Sequence, residues 1–142
     1  MINRLLSFGY GVLAYAVFLA TFLYAIAFVG GFIVANPLDT PARTPLTEAL
    51  AINGVLLTLF ALQHSVMARP WFKRRWTRIV PPAIERSTYV LCASLALLLL
   101  FWQWRPIPIQ VWQIDGIAAW LLTGVYWLGW LVVLTSTFMI DH

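Results

Sequence analysis

The chain has 142 residues, 62% of them hydrophobic and 10% charged, with nine Lys and Arg against five Asp and Glu and a formal net charge of +4. Its mean hydropathy is +0.85. Those values exclude a soluble domain and identify an integral membrane protein.

The first apolar run, Leu5 to Ala35, contains no Asp, Glu, Lys or Arg and predicts a helix over about 5–35, long enough to cross a bilayer with tilt. Ala25-Ile26-Ala27 mimics a signal cleavage site. The run around it far exceeds the roughly 7 to 15 residues of a signal core, so this helix is expected to stay. Gly9 and Gly11 read as close-packing positions. The connection that follows holds Pro37, Asp39 and Pro41, and Thr44-Pro45 offers an N-cap and a first-turn proline for a second helix over about 46–69.

In that second helix Asn53 and His64 are eleven residues apart, close to three turns, so they share a face with Leu57 and Phe60 on or near it. Polar groups in lipid are costly, so this face is expected to look into a bundle, with Asn53 bonding a neighbouring helix. Gln63, His64 and Ser65 make a polar belt roughly one turn inside the charged rim at Arg69. His64 is the only histidine besides the terminal His142.

From Pro70 to Val80 the apolar Phe72, Trp76, Ile79 and Val80 recur at helical spacing between Lys73, Arg74, Arg75 and Arg78. This pattern predicts a short basic helix in the membrane interface between helices two and three, with anionic lipid headgroups as partners along Arg69–Arg86. The stretch carries no recognisable nucleic-acid motif, so no nucleic-acid partner is expected. A third helix is expected over about 84–104, with Glu85-Arg86 as an ion pair at its start and the single Cys92 as a packing residue. Trp102, Trp104, Trp112 and Trp120 around Pro106 and Pro108 read as an interfacial belt. A fourth helix is expected over about 116–140, with Gly124 and Gly129 as further close-packing positions and Thr135, Ser136 and Thr137 near the depth of His64.

All eight prolines fall between the apolar segments, where a missing N–H costs least, and no strand alternation is visible. The expected fold is all-α: an integral membrane bundle of four transmembrane helices, with residues 1–142 as a single transmembrane domain. Arg4, Arg69, Lys73, Arg74, Arg75, Arg78 and Arg86 fall on one side of the spans and only Arg43 and Arg105 on the other, which makes the N- and C-termini cytoplasmic. Two histidines without HExxH or CxxC spacing suggest no metal site.

Three strings together, Gln63-His64-Ser65-Val66-Met67-Ala68-Arg69-Pro70, Glu85-Arg86-Ser87-Thr88-Tyr89-Val90-Leu91 and Phe101-Trp102-Gln103-Trp104-Arg105-Pro106, resemble bacterial methanethiol S-methyltransferase. The wider group contains the NnrU-like and isoprenylcysteine carboxyl methyltransferase proteins, and the likeness runs through essentially the whole chain. It implies transfer of a methyl group from S-adenosylmethionine to methanethiol, giving dimethyl sulfide, in a bacterial inner (plasma) membrane. Members of the family continue well past the position of His142, so the resemblance also implies an N-terminal portion or truncated member, with the S-adenosylmethionine-binding part expected beyond residue 142.

Such a reaction is an in-line displacement that needs the thiol deprotonated in a dry site. With ordinary values of about 8.5 for a thiol and about 6.5 for an imidazole, proton transfer costs at least roughly 2.7 kcal/mol, tolerable for a general base. His64 and Gln63 are therefore the catalytic candidates, His64 as base and Gln63 as an orienting group. Ser65 and Arg69 are the substrate-binding candidates, Arg69 as a cation favouring thiolate. The competing readings are a His64 that only pins helix packing, and a non-catalytic membrane scaffold or interaction protein. A transporter would need a longer polar path than Asn53, Gln63 and His64 make.

The charge split is directly testable. Reporter fusions after Asp39 and after Arg75 are expected to report the outer and the cytoplasmic side respectively, and a shared compartment would overturn the orientation.

Overall fold

The computed structural model describes residues 2–34, 37–39, 41, 43–107, 109 and 112–139; Ala35, Pro108, Ile140, Asp141 and His142, used above, lie outside them. Among the described residues there are helices and turns and no strand. Four helices are long and apolar enough to cross a membrane, so this is a multi-pass membrane protein. The chain divides into two units, Met1–Pro108 and Ile109–His142.

The first unit contains α1 (Ile2–Gly30), α2 (Leu46–Met67), the short α3 (Pro70–Trp76) and α4 (Glu85–Gln103), the last entered through one turn of 3-10 helix at Pro82–Ile84. Helix α4 is the centre, because α1 and α2 both pack along it and touch each other little. Tyr10 meets Thr88 near the start of α4 and Phe28 meets Phe101 near its end, so α1 runs parallel to α4. Asn53 lies against the end of α4 and His64 near its start, so α2 runs antiparallel. Phe28, Leu56, Leu100 and Phe101 form the core, with the Phe101 ring 4.8 Å from Phe28 and 5.2 Å from Tyr24.

Helix α1 stops at Gly30 and not near residue 35. Gly31 adopts a left-handed φ of 75°, which lets its own N–H and that of Phe32 both return to the Ala27 carbonyl, at 2.9 and 3.1 Å. That geometry closes a helix and favours glycine. The chain then folds back, with the Leu38 N–H donating to the Phe28 carbonyl at 3.0 Å.

Helix α2 begins differently from the expected Thr44 cap: Pro45 stands at the cap with no side-chain bond, and Thr44 Oγ1 is buried without a partner. Helix α3 does begin at Pro70, behind Arg69, where the missing N–H is not needed, but it ends at Trp76, leaving Ile79 and Val80 in the following turn. Phe72 and Trp76 are half-buried while Lys73, Arg74, Arg75 and Arg78 are exposed. Gly11 is a true close approach, since a Cβ there would lie 3.3 Å from Ser87 Oγ, whereas Gly9 faces open space.

Two side chains tie the far end of this unit. Asn53, only 4% exposed, donates to the Arg105 carbonyl at 2.6 Å and accepts from the Arg105 N–H at 2.8 Å. Both groups belong to chain just past α4, where no helical partner exists. Trp104 is half-buried against the core: its ring stands edge-on to Phe28 at 6.1 Å, and its Nε1–H donates to the Leu38 carbonyl at 3.2 Å. Trp102, 76% exposed, remains on the outside.

The second unit holds α5 (Ile117–Met139), preceded by Gly116 at φ 70°. Thr123, Thr135 and Thr137 return their hydroxyls to the carbonyls of Ala119, Leu131 and Val133, which satisfies each polar group within the helix itself.

Replacing Asn53 with Ala strands a buried N–H and a buried carbonyl at Arg105, and is expected to cost about 1 to 3 kcal/mol. The loss would be read as earlier thermal unfolding in detergent; an unchanged transition would show that water satisfies Arg105 equally well.

Candidate functional site

The other end of the α2–α4 pair gathers the residues that carry chemistry. His64 lies in the last turn of α2, exposed at the surface of the described chain, and Gln63 and Ser65 flank it. At about 100° per residue those neighbours diverge to either side of the imidazole. The structure accordingly does not bring them together: Gln63 Nε2 donates to Met67 Sδ at 3.2 Å, one turn on, and its Oε1 is buried without a partner. Ser65 is exposed, and Arg69 is exposed one turn further at the entrance to α3.

Two aromatic residues position the imidazole instead. Phe60, one turn earlier on α2, stacks on it with ring centroids 5.3 Å apart and planes 22° from parallel. Tyr89, on the second turn of α4, tilts against it at 5.5 Å. The Tyr89 hydroxyl lies 3.0 Å from His64 Nδ1 and 3.0 Å from the His64 backbone carbonyl.

Those two contacts are both fully satisfied by one tautomer. A carbonyl only accepts, and a phenol has one proton, so Tyr89 donates to the His64 carbonyl and its oxygen accepts from Nδ1–H. The Nε2 lone pair is then left free. The same tyrosine occupies a carbonyl of the last turn of α2, where acceptors outnumber helical donors.

The residue before Tyr89 ties α4 to α1. Thr88 donates one turn back to the Ile84 carbonyl at 2.8 Å, which leaves its oxygen to accept the Tyr10 hydroxyl from α1 at 3.0 Å. The expected Glu85–Arg86 ion pair is not formed among the described residues; Glu85 Oε1 is buried without a hydrogen-bond partner, as is Trp76 Nε1. Arg69, Lys73, Arg74, Arg75, Arg78 and Arg86 are exposed around this end and give it a positive field. Tyr89 had not been singled out, although it lay inside one of the three strings that carried the resemblance; only contact with His64 gives it a role.

The site and fold can now be set beside known proteins. Over the whole chain the sequence is 58% identical to methanethiol S-methyltransferase 2 of Bradyrhizobium diazoefficiens, covering 55% of that protein. It is 54% identical to methanethiol S-methyltransferase of Mycobacterium tuberculosis over 99% of this chain and 58% of that one. By sequence this chain is a homologue of the methanethiol S-methyltransferases. It spans about half the length of these curated relatives. A more distant likeness, 33% identity over 70% of the chain, joins it to Nurim of Xenopus laevis. No family model and no solved structure gives a significant match.

Tyr89→Phe removes the phenol that fixes the ring. Nitrogen NMR of labelled histidine is expected to show Nδ1 protonated in the parent and a mixture of tautomers in the variant, together with a stability loss of about 1 kcal/mol. A parent protonated on Nε2 would overturn the assignment.

Proposed function

We propose that this chain forms part of a membrane methyltransferase that moves a methyl group from S-adenosylmethionine to methanethiol, yielding dimethyl sulfide, in a bacterial inner membrane. The observation that carries the reading is an imidazole whose Nδ1 lies 3.0 Å from the Tyr89 hydroxyl, leaving Nε2 turned away from that contact, in a chain 58% identical to a protein named for that reaction. The basic end bearing Arg69 to Arg86 is taken as cytoplasmic, with α3 lying against anionic headgroups.

The donor finds partial complementarity in this chain. Gln63 Oε1 and Glu85 Oε1 are acceptors and Trp76 Nε1 a donor that are closed from solvent without hydrogen-bond partners, polar groups that a native fold normally satisfies. These three residues would help to hold it, the larger part of its site lying beyond residues 1–142. When bound, S-adenosylmethionine supplies an electrophilic methyl on a sulfonium sulfur.

The residues of this chain act on the thiol. His64 Nε2 would take the S–H proton, leaving the thiolate as the nucleophile for the methyl that the bound donor would supply, with the donor's sulfur departing as a neutral thioether. The Nδ1–H donated to Tyr89 strengthens as the ring becomes cationic, as an oriented second partner does for other basic histidines. Arg69 adds a positive charge that favours thiolate, and Ser65 is the remaining hydrogen-bonding group for the substrate. Phe60 keeps one face of the imidazole dry. Gln63 is assigned to the donor side and not to the imidazole, because its amide is committed to Met67.

His64→Gln in the full-length gene product keeps bulk and hydrogen bonding but removes basicity. Turnover, measured as dimethyl sulfide by headspace chromatography, is expected to fall by roughly 10² to 10⁴ with insertion retained. Free thiolate increases with pH, so the deficit is expected to be smaller at pH 9.5 than at pH 7. A variant that turns over at the parent rate at pH 7 removes His64 from the reaction and leaves a packing role.

A further inference from the structure

At the opposite end of the first unit, one α2 length of about 33 Å away from the basic end, the structure has a cavity of about 250 Å³ that the proposed chemistry does not use. Its walls include Arg43, Thr44, Glu48, Trp102, Trp104 and Arg105. The cavity lies where the α2 span begins, at Leu46, and the α4 span ends, at Gln103, which is the depth of lipid headgroups.

Three observations mark it as a built site. First, its walls are pinned: Asn53 clamps both backbone groups of Arg105, and the Trp104 indole holds the returning chain at Leu38. Second, its charges are uncompensated. Among the described residues Arg43, Glu48 and Arg105 make no ion pair with one another, and the one side-chain bond of Arg105 is a long 3.4 Å contact to Gln103 Oε1. Third, Thr44 lines the same space, and its Oγ1 is closed off from it without a hydrogen-bond partner, a polar atom that a native fold normally satisfies.

Two guanidinium groups and one carboxylate, left unpaired around one small cavity beside indole faces, are the complement of a molecule carrying both signs of charge. Guanidinium forks match phosphate oxygens, while a carboxylate and an indole face both attract an ammonium. At about 250 Å³ the space is below the usual range of roughly 300 to 1,000 Å³ for drug-sized ligands, so it suits a small headgroup and not a nucleotide cofactor. We propose that this cavity binds a phosphate–ammonium zwitterion of the phosphoethanolamine type, its phosphate on Arg43 and Arg105 and its ammonium on Glu48 and the tryptophans.

Native mass spectrometry of the protein released from mixed micelles tests this. With equal amounts of phosphatidylethanolamine and phosphatidylglycerol of the same chains, the parent is expected to retain the ethanolamine lipid roughly fivefold better. Glu48→Gln is expected to abolish that preference, and Arg43→Gln with Arg105→Gln to reduce retention of both lipids. Arg43→Gln alone, at an exposed residue outside any helix, serves if the double variant unfolds. Soluble phosphoethanolamine identifies the source: displacement of the lipid at millimolar concentration points to a free ligand, and no displacement to a lipid headgroup. Equal retention of the two lipids by the parent, or a preference that survives Glu48→Gln, would overturn the proposal.

Discussion

The first unit depends on the need to satisfy backbone polar groups where a helix ends beside lipid. Past Gln103 the chain leaves α4 and the Arg105 N–H and C=O have no helical partner; Asn53 supplies both, at 2.8 and 2.6 Å. An amide is the one neutral side-chain group that donates and accepts at once in that geometry. The alternative is two stranded groups, at a cost of about 1 to 3 kcal/mol. That side chain ties α2 to the chain leaving α4 at one end of the pair.

At the far end the same logic operates with a different residue. Tyr89 reaches from α4 to a carbonyl in the last turn of α2 and takes the imidazole of His64 with it. The two ties hold the helix pair at both ends, while Phe28, Leu56, Leu100 and Phe101 fill the space near the Arg105 end. The Tyr89 tie also has a chemical consequence, since satisfying the carbonyl dictates which nitrogen of His64 keeps its lone pair. Structural and proposed catalytic roles thus meet in one phenol.

The ends differ in what they leave unsatisfied. Around His64 the unpartnered atoms are two acceptors and one donor, on Gln63, Glu85 and Trp76, close to a positive surface. Around Arg105 the one unpartnered buried atom among the described residues is the Thr44 hydroxyl, beside charges of both signs on Arg43, Glu48 and Arg105 that form no ion pair with one another. Polar and charged groups thus gather at the two ends, and not along the apolar middle of the helices, and that is where ligand chemistry is to be sought.

Sequence alone determined the spans, because hydropathy and length are sums over neighbouring residues and lipid imposes them almost without regard to packing. It also located the start of α3 at Pro70 and the buried role of Asn53, each a local rule; the inward face expected for His64 is not found, since His64 is exposed and Gln63 and Ser65 diverge from it. It misjudged the end of α1, where Gly31 admits a left-handed turn that apolar content does not register. Only the tertiary structure decided which groups meet. Tyr89 and His64 are 25 positions apart and Asn53 and Arg105 are 52 apart, separations over which no helical periodicity speaks, so the tautomer of His64 and the cavity beside Arg105 exist only once α2 lies antiparallel along α4.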